Sequence, residues 1–413
     1  MKFVTPLVLL CAVALAPSTF GLGIRVMDQN ADATGRGNAF SATADNPSAV
    51  YYNPAGITQL DGLNVVDGIY GVNFDTRIHL DLHGTNGFDN KWNPQAAPQF
   101  FASWKPKKDF PVTFGLGVYA PYGFAIKYDD DVPFRTIGVE GEIQYFTISP
   151  VVAWQINDKL SISAGPTINY AKADLQRGII KPGDEFRLGG SDIAGGAVAG
   201  IMWKPTPQHS FGLMYHSATG MEFQGHTNVK FDNVVVPVQV APGVTIPVTA
   251  VKGVHTTQPA KADFHFPQFI MGGYSFRPTP DWNFEADVEW TDWDSLNSVI
   301  IHQKAGDLAL PFNWRSSFTY KFGATRNFGT YHVSAGYMYA ESSVPNESFN
   351  PLIPDSNHHV FSVGIGRKIE HWSWDIAYQF TYGPTRTISQ GSLADGQYKF
   401  ESNAITLSLG YVF

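Results

Sequence analysis

The sequence predicts an all-β fold, a transmembrane antiparallel β-barrel of about 14 strands with an N-terminal hatch, or plug, inside its lumen. Three observations predict it. The chain ends in Ile405–Phe413, where apolar residues occupy every second position and the last residue is aromatic. Charged residues make up 15% of the 413 residues, against roughly 25% in soluble domains, and aromatics reach 14%. Short turns and long loops also alternate along the chain, as they do on the two rims of a bacterial barrel.

Residues 1–21 have the pattern of a secretory signal peptide. A positive residue precedes an apolar run, Phe3–Ala16, which is too short to span a bilayer core of ~30 Å. We expect cleavage after Gly21, with Ala16 as the alternative. Cys11 is the single cysteine and lies in this run, so we expect the mature chain to contain no disulfide.

Residues 22–60 differ from the rest of the mature chain. They are rich in small residues and show no strand alternation. The segment is also too apolar to be a solvated tail. We therefore expect it to form a compact plug inside a barrel made by residues 61–413.

Period-two alternation predicts the strands, with uncertain boundaries. They run near 61–78, 97–105, 111–126, 143–155, 159–173, 191–204, 209–231, 262–277, 281–302, 312–327, 330–341, 357–369, 371–384 and 398–413. Long loops lie near 79–96, 127–142, 174–190, 232–261, 303–311, 342–356 and 385–397, and short turns separate the other strand pairs. An even number of strands with the short turns on one rim predicts that both termini are periplasmic.

Two strands indicate which face meets lipid. In 281–291 the residues Trp282, Phe284, Ala286, Val288 and Trp290 alternate with polar ones, and 372–382 repeats the pattern with aromatics. A charge on the lipid face near the midplane would cost about 2–4 kcal/mol. The acidic set Glu285, Asp287 and Glu289 is therefore expected to face the lumen. A soluble β-sandwich is the alternative, although it rarely places aromatics at every second residue of many strands.

Composition and motifs exclude several functions. The net charge of −8 argues against nucleic acid as a partner. No catalytic motif such as Gly-x-Ser-x-Gly or His-Glu-x-x-His is present, so we predict that the protein is not an enzyme. We predict no cofactor and no metal site, and we interpret His358–His359 and Asp129–Asp131 as solvated groups, with cation binding by the three aspartates as the alternative.

The N-terminal segment resembles the hatch of a known transporter family. Gly35-Arg36-Gly37 and, above all, Asn53-Pro54-Ala55 are similar to the hatch of the FadL family of outer-membrane transporters for hydrophobic compounds. Tyr119–Gly123 matches the position of that family's third strand, and the C-terminal Tyr-Val-Phe also fits. The resemblance covers essentially the whole mature chain.

The resemblance implies a mechanism and partners. Extracellular loops capture a hydrophobic ligand, a pocket in the barrel binds it, the hatch blocks the periplasmic side, and a kink in the third strand lets the ligand leave sideways into the membrane. Pro121, Tyr122 and Gly123 are the expected kink, because Pro121 lacks an amide hydrogen and Gly123 tolerates unusual dihedral angles. The implied location is the bacterial outer membrane, with its lipid and lipopolysaccharide as partners and the barrel assembly machinery contacting the C-terminal strand.

Two arginines are candidates to bind a fatty carboxylate, since arginine can pair with a carboxylate in a bidentate manner. Arg177 ends a segment that resembles the fifth-strand segment carrying the family's carboxylate-binding arginine, and alternation places it on the lumen face. Arg315 is expected to point inward with Ser317 and Lys321. The alternative for either arginine is a structural ion pair with the acidic lumen set. The family's second cation, a lysine, has no clear counterpart.

The predicted function is passive uptake of long-chain fatty acids. Uptake of aromatic or aliphatic hydrocarbons by the same route is the first alternative, and a general diffusion porin is the second. Loop 232–261 contains a long apolar stretch, which is either a capture site or a pair of strands at the barrel mouth.

Overall fold

A computed structural model describes residues 23–81, 87–241, 244–304 and 306–413. The predicted signal peptide, residues 1–21, lies outside these residues. Within the described residues, no helix is both long enough and apolar enough to cross a membrane.

The described chain consists mostly of antiparallel strands. They are β1 Gly62–Leu80, β2 Gly87–Asp89, β3 Gln95–Lys105, β4 Val112–Tyr119, β5 Gly123–Lys127, β6 Glu140–Asn157, β7 Leu160–Arg177, β8 Glu185–Thr206, β9 His209–His216, β10 Thr219–Phe231, β11 Val234–Ala241, β12 Val244–Val251, β13 Val254–Phe266, β14 Phe269–Thr279, β15 Trp282–Thr291, β16 Ser298–Gln303, β17 Leu308–Pro311, β18 Ser317–Phe328, β19 Tyr331–Ala340, β20 His358–Ile369, β21 Trp372–Ile388 and β22 Gly396–Val412.

These strands form a closed barrel, which confirms the predicted all-β barrel fold. The barrel wall has 14 staves, where a stave is either one continuous strand or two consecutive strands that occupy the same position in the wall. Closure is made by β1 and β22, which pair from Asn64↔Val412 to Leu80↔Gly396. Six staves are interrupted: β2 and β3 form the second, β4 and β5 the third, β9 and β10 the seventh, β13 and β14 the eighth, β15 and β16 the ninth, and β17 and β18 the tenth. Because a closed barrel leaves no free edge, the strands can pair on both sides except where an interruption removes a neighbour.

The predicted strand limits differ from the structure where the chain turns out of the wall. The ninth stave, predicted as unbroken over 281–302, is interrupted by a 3-10 turn at Trp293–Ser295, where the Trp293 side chain is fully buried. Loop 232–261 contains the hairpin β11–β12 and the first part of β13. Strand β18 begins at Ser317 and not near 312, because Asn313 has a φ of 47° and breaks the extended conformation.

The wall separates apolar from polar side chains as the alternation predicts. On the outer face Val363 is 57% exposed and Ile168 is 53% exposed, as lipid-facing residues of an isolated chain would be. On the inner face Glu285, Asp287 and Glu289 are all buried. The inward orientation of the acidic set is therefore confirmed.

The N-terminal segment lies inside the barrel. Its helices are α1 Ala31–Gly35 and α2 Ala49–Tyr52, followed by a 3-10 helix at Pro54–Gln59. Hydrogen bonds tie it to well-separated strands of the wall: Ala31 N donates to Ser408 Oγ on β22 (2.9 Å), and Asn53 Nδ2 donates to Ile201 O on β8 (3.0 Å). The segment is thus enclosed by the strands on several sides.

Two wall glycines let the segment approach the strands. A Cβ atom at Gly336 would collide with the backbone of Gly37, and one at Gly323 would lie 2.9 Å from the Arg36 Cβ atom. Any side chain at either position would push the segment away from β18 and β19. The close packing therefore depends on glycine at these two sites.

We predict that Gly336→Ala lowers the free energy of unfolding by about 1–3 kcal/mol, because the added methyl group overpacks a contact between two backbones. Gly195→Ala is the matched control, since a Cβ atom there meets nothing nearer than 4.0 Å. Thermal unfolding of the two variants in detergent measures the difference. Equal melting temperatures would contradict the packing described here.

Candidate functional site

Three buried carboxylates on β15 bind the N-terminal segment. Asp287 accepts hydrogen bonds from the backbone amides of Phe40 (3.0 Å) and Ser41 (2.9 Å). Glu285 accepts from the amide of Ala42 (2.7 Å) and from the amide and hydroxyl of Thr43. Successive inward positions of one strand thus hold successive residues of the segment.

The third carboxylate, Glu289, pairs with two cations. Arg25 Nη2 lies 2.6 Å from one of its oxygens and Lys321 Nζ lies 2.7 Å from the other. All three side chains are at most 1% exposed. The Arg25 guanidinium also stacks 3.6 Å from the ring centroid of Phe269. The alternative in which Arg177 or Arg315 neutralises the acidic set is wrong, because Arg25, Lys321 and backbone amides occupy it.

The hatch-motif residues hold the segment together. Arg36 forms a 2.6 Å ion pair with Asp32 one turn earlier on α1. Asn53 caps the 3-10 helix by accepting from Ala55 N (3.2 Å), and its amide donates to Ser41 O (2.8 Å) and to Ile201 O on β8 (3.0 Å). Pro54 occupies the first helical position, where its missing N–H leaves no bond unmade. These contacts give the Asn-Pro-Ala motif a structural role in fixing the segment to the wall.

The third stave is broken where the sequence predicts a kink. β4 ends at Tyr119 and β5 begins at Gly123, and of these two only β4 pairs with β3. The backbone at the break binds the N-terminal segment: Val26 N donates to Pro121 O (2.9 Å) and Gly123 N donates to Ile24 O (2.9 Å). The segment therefore replaces a missing neighbour of the third stave.

An apolar cavity of about 400 Å³ lies in the barrel between the wall and two loops. Its wall is contributed mainly by β7, β8, β10, β13, β16 and β17. The side chains that line it are mostly aliphatic and aromatic, including Phe223, Phe264, Ile301, Leu310, Phe312 and Trp314. The volume falls in the range of about 300–1,000 Å³ typical of small-molecule pockets.

Arg177, the first candidate, lines this cavity at the end of β7. Its guanidinium lies 5.0 Å from the ring centroid of Phe186, its cross-strand partner. Within the described residues no carboxylate forms an ion pair with it. An arginine in a largely apolar cavity is thus left available to an external anion.

Arg315, the second candidate, does not reach the cavity. Its side chain is exposed, whereas Trp314 is buried and lines the cavity. The prediction that Arg315 points inward is wrong, because alternation was extended from β18 through 313–316, where the chain is no longer a strand. The left-handed Asn313 resets which side of the chain faces the lumen.

Two loops cover the cavity. The β5–β6 loop, residues 128–139, contributes Thr136 and Ile137 to the lining, and the β19–β20 loop, residues 341–357, contributes Val344, Leu352 and Ile353 among others. The Tyr128 hydroxyl of the first loop donates to Pro351 O of the second (2.9 Å). Leu352 packs against Gly138, where a Cβ atom would lie 2.5 Å from Leu352 Cγ. The two loops thus meet over the cavity.

Each loop is anchored to the rest of the molecule by an arginine. Arg135 donates to Asp184 Oδ1 (2.7 Å) and Asp130 Oδ1 (2.9 Å), which joins the β5–β6 loop to the β7–β8 loop. Arg386 on β21 donates to Asp355 O (2.5 Å) and Val344 O (2.6 Å) of the β19–β20 loop. Charge-assisted bonds of this kind are about twice as strong as neutral ones.

The Asp184 carboxylate is held in its charged form. Burial by itself would raise the pKa of Asp184, but hydrogen bonds from the amides of Ile179, Lys181 and Ile180 and from Arg135 lower it to about 2. The β7–β8 loop is therefore closed around an ionised group at neutral pH.

Comparison with known proteins decides the family. The family model described as "Outer membrane protein transport protein (OMPP1/FadL/TodX)" matches residues 12–413. The chain belongs to the FadL family. It is therefore an outer-membrane transporter of hydrophobic compounds, and its β-barrel is a transmembrane one.

Individual relatives of this FadL-family protein are distant. The long-chain fatty acid transport protein of Escherichia coli K12 is 22% identical over 419 residues, with 89% of each chain covered. A Pseudomonas aeruginosa FadL homologue of known crystal structure superimposes with a TM-score of 0.80 at 20% identity, covering 95% of this chain and all of that one. The Ralstonia pickettii toluene transporter TbuX gives a TM-score of 0.71 at 16% identity, covering 93% and 98%. These relatives are transporters and not enzymes, and at this identity the solved structures show the fold alone.

Other predicted groups of the FadL-family chain lie away from the cavity. Asp129 pairs with Lys91 (2.7 Å) and Asp130 with Arg135. The His359 Nδ1 atom and the Tyr337 hydroxyl are hydrogen-bonded at 2.8 Å. His358 is only 1% exposed, so the expectation that both histidines are solvated is wrong for His358. No group of three or more acidic, histidine or cysteine side chains among the described residues could hold a metal ion.

Several residues central to the site could not be found from the sequence. Alternation predicts that Lys321 faces inward, but neither Lys321 nor Arg25 carries a motif, and only the fold brings both to Glu289. Alternation with an inward Arg315 would place Trp314 on the lipid face, whereas Trp314 is buried and lines the cavity. Arg386 and Arg135 lie in or beside loops, where no periodicity indicates the direction of a side chain.

We predict that Glu289→Gln lowers the free energy of unfolding by about 3–5 kcal/mol, because it leaves two buried cations with a neutral partner. Glu222→Gln is the control, since Glu222 forms an exposed pair with Lys261 on the outer wall and its loss should change little. Denaturant unfolding in detergent measures both. Comparable effects of the two substitutions would contradict the central role of Glu289.

We predict that Asp184→Asn destabilises the β7–β8 loop at neutral pH and that the difference from the wild type disappears in acid. The folded pKa is depressed to about 2 from the ordinary 3.8, so the stabilisation is complete above about pH 5 and falls as the pH drops from there through about 2. The measurement is hydrogen exchange of the loop amides, whose protection is compared between the wild type and the variant at each pH. A wild-type advantage that persisted at pH 1.5, below the folded pKa, would contradict the assignment.

Proposed function

We propose that the protein takes up long-chain fatty acids passively across the outer membrane and that Arg177 binds their carboxylate. The observation that supports this most directly is a single arginine without a carboxylate partner in the lining of a largely apolar cavity of about 400 Å³. A long acyl chain with one terminal carboxylate matches a lining of that kind. Pairing with a guanidinium lowers the cost of removing the carboxylate from water.

We further propose that residues 22–60 act as the hatch and residues 61–413 as the barrel. The described part of the segment is mostly buried and hydrogen-bonds to β8, β15, β20 and β22, which would prevent free passage to the periplasm. An open diffusion porin needs a continuous aqueous lumen, and this packing argues against one. Both termini are proposed to be periplasmic, on the side of the two-residue turns.

Release is proposed to occur sideways at the broken third stave. Residues 95–99 of β3 pair with β1 but have no partner on β4 or β5, and the break at Pro121–Tyr122 is closed from inside by residues 24–26. Movement of these residues would expose a gap in the wall that opens to lipid. Gly123, where β5 resumes, marks the far side of this gap.

Capture is proposed to involve the hairpin β11–β12. Cross-strand pairing places Val236, Val238, Ile246 and Val248 on one of its faces, and each of these is at least 38% exposed. An apolar face on an extracellular hairpin offers a dissolved hydrophobic molecule a first contact with the protein.

Uptake of hydrocarbons is the second candidate function. The described residues that line the cavity include one arginine, one glutamate and no lysine, and the solved relatives include transporters whose names specify toluene. An uncharged hydrocarbon would need the apolar lining but not Arg177. Dependence of uptake on Arg177 therefore distinguishes a fatty acid substrate from a hydrocarbon substrate.

We predict that Arg177→Gln weakens oleate binding about 10- to 100-fold, because it removes a charged hydrogen bond of about 1.5–3 kcal/mol. Arg315→Gln is the matched control, since Arg315 is exposed and outside the cavity. Titration of the purified protein with a fluorescent fatty acid, displaced by oleate, measures the affinity.

Uptake of labelled oleate and labelled toluene by cells that produce each variant completes the test. Loss of oleate uptake with unchanged toluene uptake in Arg177→Gln supports carboxylate recognition. Equal oleate uptake by wild type, Arg177→Gln and cells without the protein would reject fatty acid transport.

A further inference from the structure

The two loops over the cavity are held differently at their outer ends and at the contact between them. At the outer ends Arg135 and Arg386 make several charge-assisted bonds to Asp184, Asp130 and the backbone of residues 344–355. Across the contact, one hydrogen bond from Tyr128 to Pro351 joins the two loops within the described chain, and the rest is apolar packing of Leu352 on Gly138 and its surroundings. The contact between the two loops is therefore held by fewer hydrogen bonds than their anchored ends.

Where β6, β7, β8, β10 and β13 form the wall of the cavity, the wall offers no comparable weak point. β6 and β7 pair over most of their length, as do β7 and β8, and β10 pairs with both β8 and β13. Parting two of these strands would break many backbone hydrogen bonds in a low-dielectric surrounding, where each unpaired group costs several kcal/mol. Separating the two loops breaks one hydrogen bond and exposes a few apolar side chains.

We propose that the β5–β6 and β19–β20 loops form a two-part lid, anchored by Arg135 and Arg386, and that ligand enters the cavity when the lid parts between Gly138 and Leu352. The proposal rests on the proposed function, since it concerns how ligand reaches the cavity that contains Arg177. It adds a gated step between capture outside and binding inside.

The glycine at position 138 makes the closed state possible. Leu352 occupies the space that a side chain at 138 would need, so the two loops close only because no Cβ atom stands between them. The same proximity makes the contact suitable for a reversible cross-link. An ideal Cβ at 138 lies 2.5 Å from Leu352 Cγ, which brings the two Cβ atoms close to the roughly 3.5–4.5 Å that a disulfide needs.

The test is the double variant Gly138→Cys/Leu352→Cys in the full-length protein, which contains no other cysteine beyond Cys11 of the predicted signal peptide. Oxidation should slow the uptake of labelled oleate, and the association of a fluorescent fatty acid with purified protein, at least about tenfold, since a covalent link removes the open population. Reduction should restore both rates. Ligand loaded before oxidation should also dissociate at least about tenfold more slowly.

The controls separate the lid from the transport function. Each single cysteine variant, treated with oxidant, corrects for the substitutions themselves, and a thiol count verifies that the cross-link has formed. Uptake at an unchanged rate by fully cross-linked protein would overturn the lid. Absence of oleate uptake in wild type and in the reduced double variant would instead overturn the proposed function.

A second variant tests the contact without any cross-link. Tyr128→Phe removes the one hydrogen bond between the loops and keeps the ring, which packs on Phe134 at 5.0 Å between centroids. Association and dissociation of the fluorescent fatty acid should both become faster, with less change in affinity. Unchanged rates in both directions would count against the lid.

Discussion

The burial of three carboxylates on one strand of the wall is the constraint on which the rest of the molecule depends. Each would cost several kcal/mol if left unpaired in the lumen. Glu285 and Asp287 accept hydrogen bonds from amides of residues 40–43, and Glu289 pairs with Arg25 and Lys321. The N-terminal segment therefore supplies bonds to all three carboxylates, and these bonds fix its place in the barrel.

The same arrangement accounts for the broken third stave. Backbone groups at 121–123 have no strand neighbour on one side, and a buried unpaired amide or carbonyl is costly. Residues 24–26 supply the missing partners, and Arg25, in the middle of this stretch, is held by Glu289 from the far wall. The break and the N-terminal segment are thus one structural unit, since the backbone groups of each would lack partners without the other.

The cavity in the lumen is mostly apolar, in contrast to the region around the three carboxylates. Ile24 and Trp293 belong to a large apolar cluster that also contains Phe264 of the cavity lining, and Arg177 is the arginine among the described lining residues. Glu289 is paired with Arg25 and Lys321, and Glu285 and Asp287 accept hydrogen bonds from the N-terminal segment, whereas Arg177 pairs with no carboxylate of the described chain. This contrast within one barrel separates a structural polar core from a place where an external anion can bind.

The sequence by itself determined the barrel, the inward acidic face, the kink at Pro121–Gly123 and the position of Arg177. Each is a local property: a period of two fixes which side of an extended strand a residue faces, and proline removes a donor wherever it stands. Arg177 was placed correctly because β7 runs unbroken to its end. Arg315 was misplaced because a left-handed Asn313 interrupts the strand and alternation carries no information through such a point.

Only the tertiary structure decided which partners satisfy the buried charges and how the cavity is covered. Arg25 and Glu289 are 264 residues apart in sequence, and neither their spacing nor their neighbours predicts the pair. The contact between Gly138 and Leu352 likewise joins two loops without periodicity. Side-chain direction in a strand is set by its own backbone, whereas a contact across the lumen is set by closure of the whole barrel.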